Sequence, residues 1–173
     1  MSGELSRRSF LRAINVGGRR ITGPELCKPF AEVMGFEEVR SFRASGNVVF
    51  DAPRKPAESR IETALEDALG YEVAVFLRSP AEMEELASTE PFEPGAKFHV
   101  MFLKRLPSPA KRRDILALHT EDDELAFGRR ELFWRPRGRM LESELDLNRV
   151  GKLIGLNTMR TNGTVQQIAA KYL

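Results

Sequence analysis

Leu11-Arg12-Ala13-Ile14-Asn15-Val16-Gly17-Gly18 decides how the first half of this chain is read. The apolar run over residues 9–14, interrupted only by Arg12, predicts a buried strand, and Asn15-Val16-Gly17-Gly18 predicts the turn that ends it. Beyond the glycines, Thr22 is placed to cap a helix with Pro24 in its first turn. Leu26, Phe30, Val33 and Met34 then recur at helical spacing, and Gly35 supplies the stop. Pro29 falls inside this pattern, where it should bend the helix or shift its start.

Residues 39–43 and 47–51 read as two strands joined by Ala44-Ser45-Gly46 in a hairpin. A helix over 58–69 follows, with Ile61, Ala64, Leu65, Ala68 and Leu69 as its apolar stripe and Gly70 at its end. Residues 72–77 are almost continuously apolar, as in a strand covered on both faces. Ser79-Pro80-Ala81-Glu82 is a capping-box start for a helix that buries Met83, Leu86 and Ala87. The order is β-α-β-β-α-β, the split βαβ arrangement.

The second half opens in the same way. A strand over 98–103 leads to a helix begun by Ser108-Pro109 and carrying Ile115, Leu116 and Leu118. Strands over 125–127 and 132–135 flank Gly128-Arg129-Arg130, a short helix covers 147–154, and a last helix covers 164–172 with Val165, Ile168, Ala169 and Tyr172 inward. No final strand is evident in this half. The expectation is an α+β protein of two ferredoxin-like (split βαβ) lobes, with antiparallel sheets and helices packed on one face. The first lobe spans 1–90 and the second, with its extra C-terminal helix, 91–173; residues 89–95, rich in Pro and Gly, form the connector.

Composition sets outer limits. Of 173 residues, 42% are apolar and 30% charged, the proportions of an ordinary globular chain, and a net charge of +2 does not imply a polyanion partner. Cys27 stands alone, which fits a reducing compartment. Neither a signal-peptide pattern nor a membrane-length apolar run is evident, so the expected location is cytoplasmic.

Several segments carry chemistry. The element order of the first half is that of an RNA recognition motif, and Arg43-Ala44-Ser45-Gly46-Asn47-Val48-Val49-Phe50 aligns with that motif's third strand. Ser45 and Asn47 occupy the positions of the base-stacking aromatics, and Arg12 occupies the stacking position on strand one. Such a face cannot stack bases, but it can hold a carboxylate, a phosphate or a polar ring. Strand alternation puts Arg12, Ser45 and Asn47 on the face away from the helices, with Phe10, Ile14 and Val49 beside them. A buried Arg12 needs a partner, which is either an internal carboxylate or carbonyl, or a bound anion.

The turn at Asn15, Gly17 and Gly18 offers backbone N–H groups to an anion. It lacks both the Gly-Lys-Ser/Thr ending of a Walker loop and the third spaced glycine of a dinucleotide fingerprint. Residues 157–164 read as a polar loop in which Thr164 caps the last helix and Arg160 and Asn162 are available to a ligand. Basic runs at Lys104-Arg105, Lys111-Arg112-Arg113, Arg129-Arg130 and Arg135 to Arg139 surround Phe133 and Trp134, with Glu121-Asp122-Asp123-Glu124 offsetting part of the charge. His99 and His119 are isolated, Cys27 lacks an activating base, and no spacing suggests a metal or cofactor.

On Leu11 to Gly18 and on Ser45-Gly46-Asn47-Val48-Val49-Phe50, with Gly35-Phe36 and Val39 between, the chain resembles a widespread bacterial family of unknown function. Its members open with Leu-Arg-Gly-Ile-Asn-Val-Gly-Gly and carry Ser-Gly-Asn-Val-Val-Phe about thirty residues on. The resemblance implies a two-lobed α+β fold and no known activity. Ala13 replaces the family's glycine. The family's Thr-x-Arg-Asn-Trp-Asn-Thr-Val is represented here by Thr158, Arg160, Thr161, Asn162, Gly163, Thr164 and Val165.

Three readings follow. The first is a binding protein for a small anionic or phosphate-bearing molecule at Arg12, Asn15, Gly17, Gly18, Ser45 and Asn47, with Arg160 as a further candidate. The second is nucleic-acid binding through the basic segments of the second lobe. The third makes the motifs purely architectural.

Overall fold

The structure, a computed structural model, describes residues 6–11, 21–43 and 46–173, the first of these by backbone pairing. It is an α+β fold with two four-stranded antiparallel sheets. The chain divides into two compact units, Met1–Glu85 with Ile168–Leu173, and Leu86–Gln167.

In the first unit, strands β1 (Ser6–Leu11), β2 (Glu37–Phe42), β3 (Asn47–Asp51) and β4 (Val75–Arg78) lie in the order β2-β3-β1-β4. Thr22 caps helix α1 (Gly23–Lys28) as expected, and the cap is a full capping box. The Thr22 backbone N–H and hydroxyl both donate to the Glu25 carboxylate, and the Glu25 N–H donates back to Thr22 Oγ1. Pro29 ends the α-helical winding, because its ring crowds the carbonyl one turn back and it has no N–H to give. The chain continues as a π-helical turn, Pro29–Val33, in which the Met34 N–H reaches the Pro29 carbonyl at 3.1 Å. Phe30 and Met34 still reach the core, but the wider turn leaves Val33 66% exposed, outside the apolar stripe in which its spacing placed it.

Helix α2 (Glu58–Leu69) buries Ile61 and Leu65 and ends at Gly70, whose φ of 79° is the left-handed cap that glycine takes without strain. These residues pack with Leu26, Phe30, Val48, Phe50, Val75 and Leu77 in one cluster. Val48 and Phe50 therefore face the helices, and by alternation Asn47 and Val49 face the other way, as expected. Two carboxylates of α2 also reach the edge strand. Glu58 accepts the Leu77 N–H at 2.7 Å and Glu62 accepts the Val75 N–H at 2.8 Å. Helix α3 (Pro80–Ser88) starts on the Ser79–Glu82 box, with its N–H bonds at 2.7 and 3.3 Å.

In the second unit, β5 (His99–Leu103), β6 (Asp123–Phe127), β7 (Glu131–Pro136) and β8 (Asn157–Thr161) lie in the order β6-β7-β5-β8, the same relative order as in the first sheet. Helices α4 (Pro109–Leu116) and α5 (Leu147–Ile154) are capped by Ser108 and Asp146. Met101, Leu103, Ile115, Leu132, Trp134, Val150 and Ile154 form the core.

Three expectations for this unit are corrected. Residues 157–161 are a strand rather than a loop, and α6 (Asn162–Tyr172) begins two residues before the expected start. Thr161, not Thr164, is the cap, since its Oγ1 accepts the Thr164 N–H at 3.2 Å. The strand was invisible to apolar periodicity because its buried positions are Thr158 and Arg160. Asp123, within the acidic run Glu121 to Glu124, is 1% exposed. It accepts hydrogen bonds of 2.7 Å from each of Trp134 Nε1, Thr120 Oγ1 and Ser143 Oγ.

Candidate functional site

Of the residues expected to bind a ligand, Arg12, Asn15, Gly17, Gly18 and Ser45 lie outside the described residues. Their flanks are described, and the strand register brings those flanks together. Phe10 pairs with Asn47 across β1 and β3, and Asn47 pairs with Phe42 across β3 and β2. The C-terminal end of β1 is thus level with the turn that joins β2 to β3. Ile21 and Thr22, where the chain is next described, line a small hollow with Gly23, Leu26, Ser41, Arg43 and Gly46. The described flanks of both sequence motifs therefore border the same end of the first sheet.

Asn47 is completely buried, and its amide N–H₂ donates to the Phe42 carbonyl at 3.1 Å. That bond ties the two ends of the hairpin turn, so Asn47 shapes the turn whatever else it contacts. Gly46 has a φ of 71° and Arg43 a φ of 58°, which for a residue with a Cβ is a strained, left-handed conformation. The Arg43 guanidinium lies 5.4 Å from the centre of the Phe42 ring. The α1 N-terminus comes so near β2 that a Cβ on Gly23 would run into Ser41 Oγ. The Cys27 thiol is raised above its usual value by burial, against a smaller opposing effect of its hydrogen bond to Ser41, and so is not a poised nucleophile. Arg43, Thr22 and Gly23 were not singled out as site residues. Backbone conformation at Arg43 is the signal that marks them, and sequence does not display it.

Arg160 lies in the second unit, on β8, 6% exposed. Its Nη1 donates to Thr158 Oγ1 and to the Met159 carbonyl, both at 2.8 Å. Burial pushes its pKa down to about 10, so the guanidinium is still charged at neutral pH. Asn162 is also occupied, for its Oδ1 accepts the Phe98 N–H and its Nδ2 donates to the Ala96 carbonyl, both at 3.2 Å.

Phe133 and Trp134, which lie among the basic runs, are 2% and 0% exposed, so neither ring is open to a base. Arg135 bonds Glu124 at 2.9 Å and also pairs with Glu93. No group of three or more His, Cys, Asp or Glu suited to a metal occurs among the described residues, and no described helix is long and apolar enough to cross a membrane.

Residues 8–133 match the model of a family described as Protein of unknown function (DUF1697). The chain belongs to this family. The DUF1697 match covers both strand motifs and most of the second sheet. A structural neighbour is the conserved bacterial protein SP0830 from Streptococcus pneumoniae, 22% identical, with 96% of this chain and 97% of that chain covered at a TM-score of 0.73. That likeness shows the fold of this DUF1697 member. A search of curated proteins gives no match.

His99, on β5, is half-buried and stacked on Trp134 with ring centres 5.0 Å apart. Burial lowers its pKa from the ordinary 6.5. The folded protein thus binds this proton less readily than the unfolded chain. Stability is therefore fully present above pH 6.5 and declines as pH falls through the window below it. Imidazole NMR is expected to place the His99 midpoint below 6.5, and His99→Phe to flatten the decline in that window. A midpoint at or above 6.5 would contradict the assignment.

Proposed function

We propose that this protein binds a small anionic or phosphate-bearing molecule at the turn-bearing end of the first sheet. In this reading Arg12, Ser45 and the backbone N–H groups of Asn15, Gly17 and Gly18 supply the contacts, and Asn47 ties β3 to the end of β2. The observation that carries this reading is the convergence of both motifs' flanks on one sheet end. The strained backbone of Arg43 in that same hollow supports it, since strain kept in a fold concentrates where ligands are held. Arg160 is not needed, because Thr158 and Met159 engage its guanidinium.

Thermal-shift screening and calorimetry with inorganic phosphate, nucleoside monophosphates and small dicarboxylates test the proposal. A saturable hit that Arg12→Ala weakens by about 1.4 kcal/mol or more, a factor of ten, is the expected result. A hit that survives Arg12→Ala unchanged would sink the site, and no hit among all three classes would sink the ligand chemistry.

A further inference from the structure

The second unit contains a cavity of about 610 Å³, all of whose lining residues lie between Thr89 and Gln166. That volume falls in the range of small-molecule sites, which are concave, largely apolar and provided with a few polar groups. The cavity sits where the start of β5, the segment after β7 and the junction of β8 with α6 come together. Phe98, Pro136 and Met140 give it apolar walls.

Its charged groups are unequally engaged. Glu93 is paired with Arg135, and Glu90 accepts the Gly95 N–H at 3.4 Å. Lys97 lines the same cavity and makes no ion pair among the described residues. His99 lines it as well, and neither ring nitrogen has a hydrogen-bond partner among the described residues, although the ring is held in place by Trp134. An imidazole stacked on Trp134, with no hydrogen-bond partner among the described residues, together with a lysine that makes no ion pair among them and an apolar wall, matches a ligand with a carboxylate at one end and an apolar body at the other. Gly163 faces open space, for a Cβ there would approach nothing nearer than Thr161 Oγ1 at 3.9 Å.

We propose that this cavity is a binding site for a small organic carboxylate with an apolar body, oriented by Lys97 and His99. It is separate from the site proposed on the first sheet and shares no residue with it.

The test uses the full chain and four probes: benzoate, the neutral isostere benzamide, acetate, and benzylamine. Imidazole NMR follows His99, distinguished from His119, the only other histidine, by a His119→Gln variant. Benzoate is expected to shift the His99 signals saturably and to change Trp134 fluorescence, with benzamide and acetate each about tenfold weaker or more. Lys97→Glu should weaken benzoate by a similar factor. Gly163→Phe, which adds a side chain where space is open and leaves the helix a better former, should occlude the site.

Benzylamine binding as tightly as benzoate would overturn the proposal in favour of the glutamates. So would a benzoate response unaltered by Lys97→Glu, or no saturable response to any probe. Arg12→Ala should leave benzoate binding unchanged, so a failure of the first-sheet site and a failure of this one are told apart.

Discussion

Phe50→Ala is expected to destabilise the first unit by about 4 kcal/mol, the middle of the range for truncating a buried aromatic. Phe50 is 0% exposed near the end of β3, with its ring stacked on Phe36 at 4.6 Å between centres and tilted against Phe30 at 5.3 Å. Removing it takes away the transfer free energy of the ring and the aromatic contacts, and it opens a void bounded by elements that cannot close together. The neighbours come from the π-helical turn, the start of β2 and α2, each anchored by its own hydrogen bonds. Urea unfolding followed by far-ultraviolet circular dichroism measures the change. Phe50→Leu should recover more than half of the loss, and a loss below about 1.5 kcal/mol for the alanine variant would mean that the site collapses freely.

Asp123→Ala is expected to cost about 3 kcal/mol, read through the fluorescence of Trp134, the only tryptophan. The carboxylate collects the indole N–H of β7, the Thr120 hydroxyl before β6 and the Ser143 hydroxyl before α5, each at 2.7 Å. Its loss leaves a fully buried indole N–H with no acceptor, which costs more than the net worth of the bond itself. Asp123→Asn keeps the shape and one acceptor oxygen and should lose about half as much. Burial would by itself raise the Asp123 pKa, but the hydrogen bonds from Ser143, Thr120, Trp134 and the Leu145 N–H outweigh it and hold the pKa below 3.8. The stability tied to Asp123 is therefore present above pH 3.8 and is lost as pH falls through the lower folded value. Asp123→Asn should remove that part of the acid transition. An acid limb identical to that of the parent protein would contradict this account.

Much of the fold was legible where local chemistry and tertiary demand agree. The Thr22 cap, the Ser79 capping box, the α2 stripe with its glycine stop and the β3 run from Asn47 all follow rules of spacing that packing reinforces. What was not legible is polar residues doing buried work. β8 hides because Thr158 and Arg160 satisfy each other inside the protein, so the strand shows no apolar alternation. Asp123 sits in a sequence run that looks like a solvated face, and only the distant Trp134 and Ser143 make it a buried acceptor. Val33 fits the helical spacing, yet Pro29 changes the winding and sends it outward. For the candidate site, spacing and alternation picked out the correct face for Asn47. The strained φ of Arg43 follows from how the turn closes and from nothing in the residue names.

The two glutamates that α2 lends to β4 bear on solubility. A sheet with a bare flank offers a row of N–H and C=O groups on which a second chain can crystallise its own strand, and so begin a fibre. On the β4 flank the Leu77 and Val75 N–H groups are already spoken for by Glu58 and Glu62. On the opposite flank the register of β2 slips between Glu37 and Arg40, and the charged pair Glu38–Arg40 stands at that irregularity. Four ionisable side chains thus stand along the two flanks of the first sheet, a placement that disfavours strand addition beside apolar strands as dense as β3 and β4.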